Sequence, residues 1–378
     1  MTTVNPHEHE SAQLITTLMK DVRRGVKGRY LNEQRVPQSR WMEFKTILSN
    51  TDIAYDPKNP GTKVLIGRLG DHLIGIDDNR HLMTVAGSRA GKSVGLISNL
   101  MFYRGSVLVT DPKGELANLT AATREKLGQK IYVLDPFKKG EAALAKYQAS
   151  YNPMDILDLE SESILEDAAQ IAEALVVSSP DQKDPHWDES ARNFIEGVIL
   201  YVATADKHGH ERNLITVRRL LASALVPGEP AGDERTSKKR GAKSELYELM
   251  LRSAQELDAD EGTAPIAHAL RAAALDFFEK GESEIAGVLS TVNRHTKFLD
   301  YPAFRRVLQD SSFDLGELKR DPAGVSIYLC FPATRAELSK RWMRLFVNQL
   351  LDAMEREKAK PPCWRRPETE PVLQVVPK

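Results

Sequence analysis

Long apolar runs are the first thing missing from this chain of 378 residues. Crossing a bilayer as a helix takes about 18 or more consecutive apolar residues. The richest stretch, Phe194 to Ala205, is too short, so no membrane span is expected. Cysteine is nearly absent, with Cys330 and Cys363 the only two, far apart and without metal-ligand spacing. That excludes a disulfide framework and points to a reducing compartment, the cytoplasm. An excess of one charge is lacking too: 52 Lys and Arg meet 53 Asp and Glu, for a net charge of -1. Any contact with nucleic acid or a membrane surface must then come from a local patch. Nor is there a signal-peptide core, because His7, Glu8, His9, Glu10, Lys20, Asp21, Arg23 and Arg24 interrupt the first thirty positions. What is present, 41% apolar and 28% charged residues, is ordinary for a soluble globular protein.

Residues 1–62, punctuated by Pro37, Pro57, Pro60 and Gly61, predict a short helix and an irregular approach segment. Short β-type runs follow at Lys63 to Ile66, His72 to Ile76 and His81 to Ala86. The last leads through a glycine-containing loop into a helix whose Val94, Ile97, Leu100 and Met101 fall at helical spacing, with Gly105 placed to end it. A strand at Ser106 to Thr110, a helix at Leu116 to Leu127 closed by Gly128, and a strand at Lys130 to Leu134 complete β-α-β-α-β. Strands alternating with single helices predict an α/β fold with a parallel sheet, where ligands gather at the carboxyl ends of strands.

From about Glu160 to Leu299 the pattern is helical, and Ala191, Phe194, Ile195, Val198, Ile199 and Val202 form one apolar face. A large all-α insertion is expected there, interrupted by a polar loop at Pro227 to Lys243. A strand at Gly324 to Phe331 then resumes the sheet. After it come a long helix at about Thr334 to Lys358, the charged linker Ala359 to Glu370 and a strand at Pro371 to Val376.

The segment Ala86, Gly87, Ser88, Arg89, Ala90, Gly91, Lys92, Ser93 fits a P-loop with alanine in place of the first glycine. The chemistry explains the residue types. Consecutive backbone N–H groups wrap phosphates, and the helix N-terminus adds partial positive charge. Lys92 reaches the β and γ phosphates, Ser93 ligates magnesium, and Gly91 lets the backbone approach without a Cβ. The competing reading is a glycine-rich strand-helix turn with a solvated lysine. Downstream, the strand Val107 to Asp111 ends in an acid that suits either of two roles: holding magnesium through water, or capping the turn Asp111 to Glu115. No glutamate directly follows Asp111.

Weaker features each have a bland reading. His7 with His9, and His208 with His210, suggest metal only faintly and read as solvated. Lys238, Lys239, Arg240 and Lys243 suit nucleic-acid contact or simple solvation of a loop. Trp187 reads as a core anchor at a helix start, and Arg335, Arg341 and Arg344 as surface partners of acids.

The P-loop, then Gly105 to Asp111 with Lys113, Gly114 and Glu115, then Leu134-Asp135-Pro136 and Tyr151-Asn152-Pro153, occur in a characteristic order. With His186-Trp187 and Ser326-Ile327-Tyr328-Leu329 through Pro332, the set resembles the TraG/TraD-type coupling ATPases of type IV secretion over residues 64–376. The resemblance implies a P-loop NTPase with a RecA-like parallel sheet formed by residues 63–154 and 301–378, and an all-α domain at 155–300. It implies ATP and Mg2+ as cofactors. It also implies a homohexameric motor, cytoplasmic and peripheral at the inner membrane, that delivers single-stranded DNA with its relaxase, or protein effectors, to a type IV secretion channel. Two departures stand out. Members carry N-terminal transmembrane helices, and their Walker B strand runs into Asp-Glu, whereas Pro371 to Val376 is followed by Pro377 and Lys378. A truncated chain that binds ATP with little hydrolysis is therefore expected. A DNA pump of the FtsK or HerA kind, or a catalytically inactive substrate-interaction module, are the alternatives.

Overall fold

The computed structural model describes residues 43–78, 80–178, 185–209, 211–224 and 244–359. The His7 and His9 pair, His210, the loop Pro227 to Lys243 with its four cations, Cys363 and the strand Pro371 to Val376 lie outside the described residues. Two compact units divide the chain, Met1–Ala54 and Tyr55–Lys378. In the first, helix α1 (Phe44–Ser49) is followed by a 3-10 turn, Thr51–Ile53, whose Asp52 N–H donates to the Asn50 side chain at 2.9 Å.

The second unit opens with an antiparallel hairpin of β1 (Val64–Leu69) and β2 (His72–Ile76). Tyr55 docks on it: its N–H donates to the Leu73 carbonyl at 3.1 Å, and its ring lies where a Cβ on Gly75 would come within 2.5 Å. Helix α2 (Lys92–Phe102), β3 (Val107–Thr110), α3 (Glu115–Lys126) and β4 (Lys130–Leu134) then alternate as expected. Much later in sequence, β5 (Val325–Leu329) inserts between β3 and β4, parallel to both, giving the order β3-β5-β4. All five residues of β5 are buried, as a central parallel strand covered on both faces must be. Strand alternation sends Val325, Ile327 and Leu329 into the larger helical core. Tyr328, and Cys330 just beyond the strand, instead join Leu100, Ala117 and Ala121 beneath α2 and α3.

The helical layer comprises α4 (Ile164–Leu175), α5 (His186–Thr204), α6 (Leu214–Ala222), α7 (Glu245–Leu257), α8 (Ala264–Phe278), α9 (Glu282–Thr296), α10 (Pro302–Leu308) and the short α11 (Glu317–Arg320). After β5 comes α12 (Ala336–Arg356). Helix α5 is its axis: the predicted face from Ala191 to Val202 is buried, and Phe194 stacks on Phe277 with ring centroids 3.6 Å apart. Glycines set the approach of its neighbours. A Cβ on Gly197 would sit 2.4 Å from that of Ala273, and one on Gly287 would sit 2.4 Å from the Trp187 ring. Trp187 is thus the anchor its position implied.

Two expectations are corrected. His81 to Ala86, expected as a strand, has no ladder partner among the described residues, and every side chain from His81 to Ala90 is exposed. Apolar composition favours extended backbone, but a strand exists only through a hydrogen-bonded neighbour. His208, expected to be solvated, is buried edge-on against Tyr201 at 5.5 Å. The short 3-10 turn Asp206–His208 folds it back onto α5.

Candidate functional site

Helix α2 begins at Lys92 with Gly91 as its N-cap in the left-handed region, φ 86. Arg89 is also left-handed, φ 64. Such alternation of backbone handedness turns successive N–H groups toward one side, which makes a concave anion cradle. The first intrahelical bond runs from the Gly95 N–H to the Gly91 carbonyl at 3.1 Å. The amides of Lys92, Ser93 and Val94 therefore belong to the first turn and have no carbonyl within the helix to bind. A Cβ built on Gly87 or Gly91 meets nothing within 4 Å, so the space beside the loop is open. The Lys92 ammonium donates to the carbonyls of Ala86 and Gly87, each at 2.7 Å, and so sits inside the turn. Ser93 follows it, exposed in the first turn. Open first-turn amides at a helix start, a lysine in the mouth of the loop and a hydroxyl beside it fit a polyphosphate and its metal ion.

The loop's place relative to the sheet follows from connectivity. The last turn of α2 lies near Gly105, because one guanidinium, that of Arg124, reaches both the Leu100 and Gly105 carbonyls. Gly105 leads directly into β3, so α2 ends at the amino edge of the sheet and its first turn points toward the carboxyl edge. Leu96 and Leu100 of the helix, with Tyr103 just past its end, share a groove of about 280 Å³ with Val107, Val109 and Thr110 of β3.

At the carboxyl edge, two strands end alike. After β3, Asp111 is buried, its Oδ2 accepts the Ala117 N–H at 2.9 Å, and its own N–H donates to the Leu329 carbonyl at 2.9 Å. Gly114, φ 74, then starts α3. After β4, the buried Asp135 accepts the Gly140 N–H through Oδ2 at 2.7 Å. Of the two roles open to Asp111, the structure displays the turn cap. Cys330 lies near both acids, and burial, reinforced by their charges, pushes its thiol well above the usual range. That thiol is no nucleophile.

The remaining motif residues hold the frame. Ser326 accepts from Arg124 and donates to Gln129, and the Tyr328 hydroxyl lies 2.7 Å from Thr120 Oγ1. Tyr151 donates to Gln349 at 2.9 Å, and Asn152 donates to the Arg212 carbonyl at 2.8 Å. These join the irregular segment after β4 to α12 and to the helical layer. Arg344 pairs with Glu173 and Arg335 lies over the Phe137 ring, whereas Arg341 donates to His295 Nδ1 at 3.2 Å.

Sequence reasoning missed two buried clusters. In one, Arg124 is completely buried, and desolvation lowers its pKa to about 10, still high enough to keep the guanidinium charged at neutral pH. The available signal was an arginine on the otherwise small-residue stripe of Ala117, Thr120 and Ala121. In the other, Asp188 Oδ1 accepts from Arg294 at 2.9 Å and lies 3.3 Å from His295 Nε2. Desolvation, then repulsion from Arg341, lowers the His295 pKa to about 4 despite Asp188. Three helices meet there, so spacing along one of them could not reveal it.

The sequence family described as Type IV secretory system Conjugative DNA transfer matches residues 40–363. The conjugal transfer protein TraG of Escherichia coli is 28% identical over 77% of this chain and 42% of its own length. Protein VirD4 of Rhizobium radiobacter is 24% identical over 73% of this chain and 35% of its own. The chain spans less than half the length of these curated relatives. Among solved structures, plasmid coupling protein TrwB in complex with a non-hydrolysable ATP analogue, ADPNP, is similar at 14% identity and TM-score 0.42, covering 71% of this chain and 51% of its own.

Proposed function

Because this chain belongs to the type IV secretory system conjugative DNA transfer family, we propose that it holds ATP with Mg2+ on the loop Ala86 to Ser93. The observation that carries the proposal is the left-handed pair Arg89 and Gly91, which turns the amides of a helix N-terminus into an open cradle with Lys92 in its mouth. Lys92, whose ammonium donates to the Ala86 and Gly87 carbonyls, would hold the terminal phosphates. The Ser93 hydroxyl would hold the magnesium ion. The bound ion supplies neutralisation of the phosphate charge. Asp111 contributes by shaping the turn at the end of β3. Pro112 occupies the position where a water-activating glutamate would follow it. Turnover without further carboxylates is accordingly slow.

The nucleotide domain is assigned to residues 63–154 and 301–378, and the all-α domain to 155–300. For the whole protein we assign the coupling role: the helical layer recruits relaxase-bound single-stranded DNA or protein effectors. A homohexameric ring at the cytoplasmic side of the inner membrane passes them to the secretion channel. A fluorescent ATP analogue titrated into the chain in Mg2+ tests the nucleotide claim. Saturable binding that Lys92→Ala removes is the expected result. Weak binding indifferent to that substitution would leave a substrate-interaction module instead.

A further inference from the structure

Helix α2 carries the cradle yet is thinly held by the core. Leu100 is its only fully buried residue, while Val94 and Leu96 are exposed. Polar contacts to the hairpin and to α3 supply the rest, and these grip its C-terminal half. The Asn99 side chain accepts the Leu65 N–H at 2.7 Å and donates to the Leu65 carbonyl at 2.8 Å, which ties the helix to the hairpin. Arg124, arriving from α3, does more. Its Nη1 donates to the carbonyls of Leu100 at 2.7 Å and Tyr103 at 3.0 Å, and its Nη2 to Gly105 at 2.8 Å. Its Nε donates to Ser326 Oγ on the central strand.

All four acceptors are neutral, and among the described residues no carboxylate contacts the group. An unpaired guanidinium is costly to bury. Here it meets the negative end of a helix whose last-turn carbonyls lack intrahelical partners. The planar fork spans helix end, connecting turn and strand at once, so it fixes both the height and the rotation of α2 against β5. We propose that Arg124 is a positioning residue of the nucleotide site: by clamping the C-terminus of the cradle helix to the central strand, it aims the first-turn amides and Lys92. This rests on the nucleotide assignment above.

The test compares the full chain with Arg124→Lys, Ser326→Ala and Phe277→Leu, measuring affinity for a fluorescent ATP analogue in Mg2+ alongside thermal unfolding. A lysine ammonium cannot reach acceptors spread around a fork. Arg124→Lys is expected to weaken binding about tenfold, the loss of one charge-assisted hydrogen bond. Ser326→Ala removes one acceptor and keeps the arginine, so it guards against a misfolded lysine variant, with an expected weakening of about threefold. Phe277→Leu loosens the helical layer and should lower the unfolding temperature without changing affinity. Parent-like affinity in both clamp variants, or equal weakening by Phe277→Leu, would overturn the proposal. Absence of binding in the parent would instead defeat the nucleotide assignment on which it stands.

Discussion

The Lys92 ammonium lies 2.7 Å from the Ala86 carbonyl oxygen, six residues back along the chain. A lysine that closes its own loop in this way holds positive charge in the mouth of that loop. The loop is thereby preorganised for an anion before one arrives. The same bond is broken in binding, so the affinity reports how far phosphate contacts exceed it.

Gly91 is the first testable point. Its φ of 86 is unfavourable for any L side chain, while a Cβ there meets nothing within 4 Å. Gly91→Ala should therefore cost through backbone strain alone, about 1 to 2 kcal/mol. Nucleotide affinity should fall about tenfold, with the far-ultraviolet circular dichroism of the parent retained. A fully active alanine variant would mean the loop readily adopts another shape.

Asp111 separates two roles by measurement. As a cap for the Ala117 N–H, it is worth about 1 kcal/mol of stability. Asp111→Ala should lower the denaturation midpoint. Asp111→Asn, which keeps an acceptor oxygen, should largely restore it, and neither should alter ATP affinity in Mg2+ by much. A selective loss of Mg2+-dependent affinity in Asp111→Asn would favour the metal role.

His295 predicts a pH dependence. It faces Asp188 from α5, Arg294 from its own helix α9 and Arg341 from α12. The partners suit the neutral ring: Nε2 donates to Asp188 and Nδ1 accepts from Arg341. Its pKa falls from 6.5 to about 4 on folding. Above pH 6.5 it adds no pH dependence. As pH falls toward about 4 the unfolded chain gains a proton that the folded one refuses, and stability drops by about 3 kcal/mol. Urea unfolding at pH 7 and pH 5 should show about 2 kcal/mol of this drop, and His295→Gln should flatten it. An unchanged slope in the variant would assign the loss to other groups.

How much was legible follows from the kind of signal each element carried. Strands β2 and β4 were readable to the residue, His72–Ile76 and Lys130–Leu134, because alternating or β-branched runs were bounded by glycine and charge. The apolar face of α5 was equally plain from its spacing. The segment His81 to Ala86 was misjudged because composition records a preference for extension and not the presence of a neighbour. The loop Ala86 to Ser93 could be recognised from its residues, but the left-handed Arg89 could not, since arginine has no local reason to adopt that conformation. Arg124 and His295 were invisible for a different reason. Their partners, Ser326 for one and Asp188 with Arg341 for the other, come from distant parts of the chain and meet only when the sheet and helices close.

Amide hydrogen exchange across the cradle, with and without ATP and Mg2+, tests the central claim most directly. The amides of Gly91 to Val94 should gain protection on adding nucleotide, and Lys92→Ala should remove the gain. Exchange unchanged at those amides while nucleotide protects another part of the chain would contradict it.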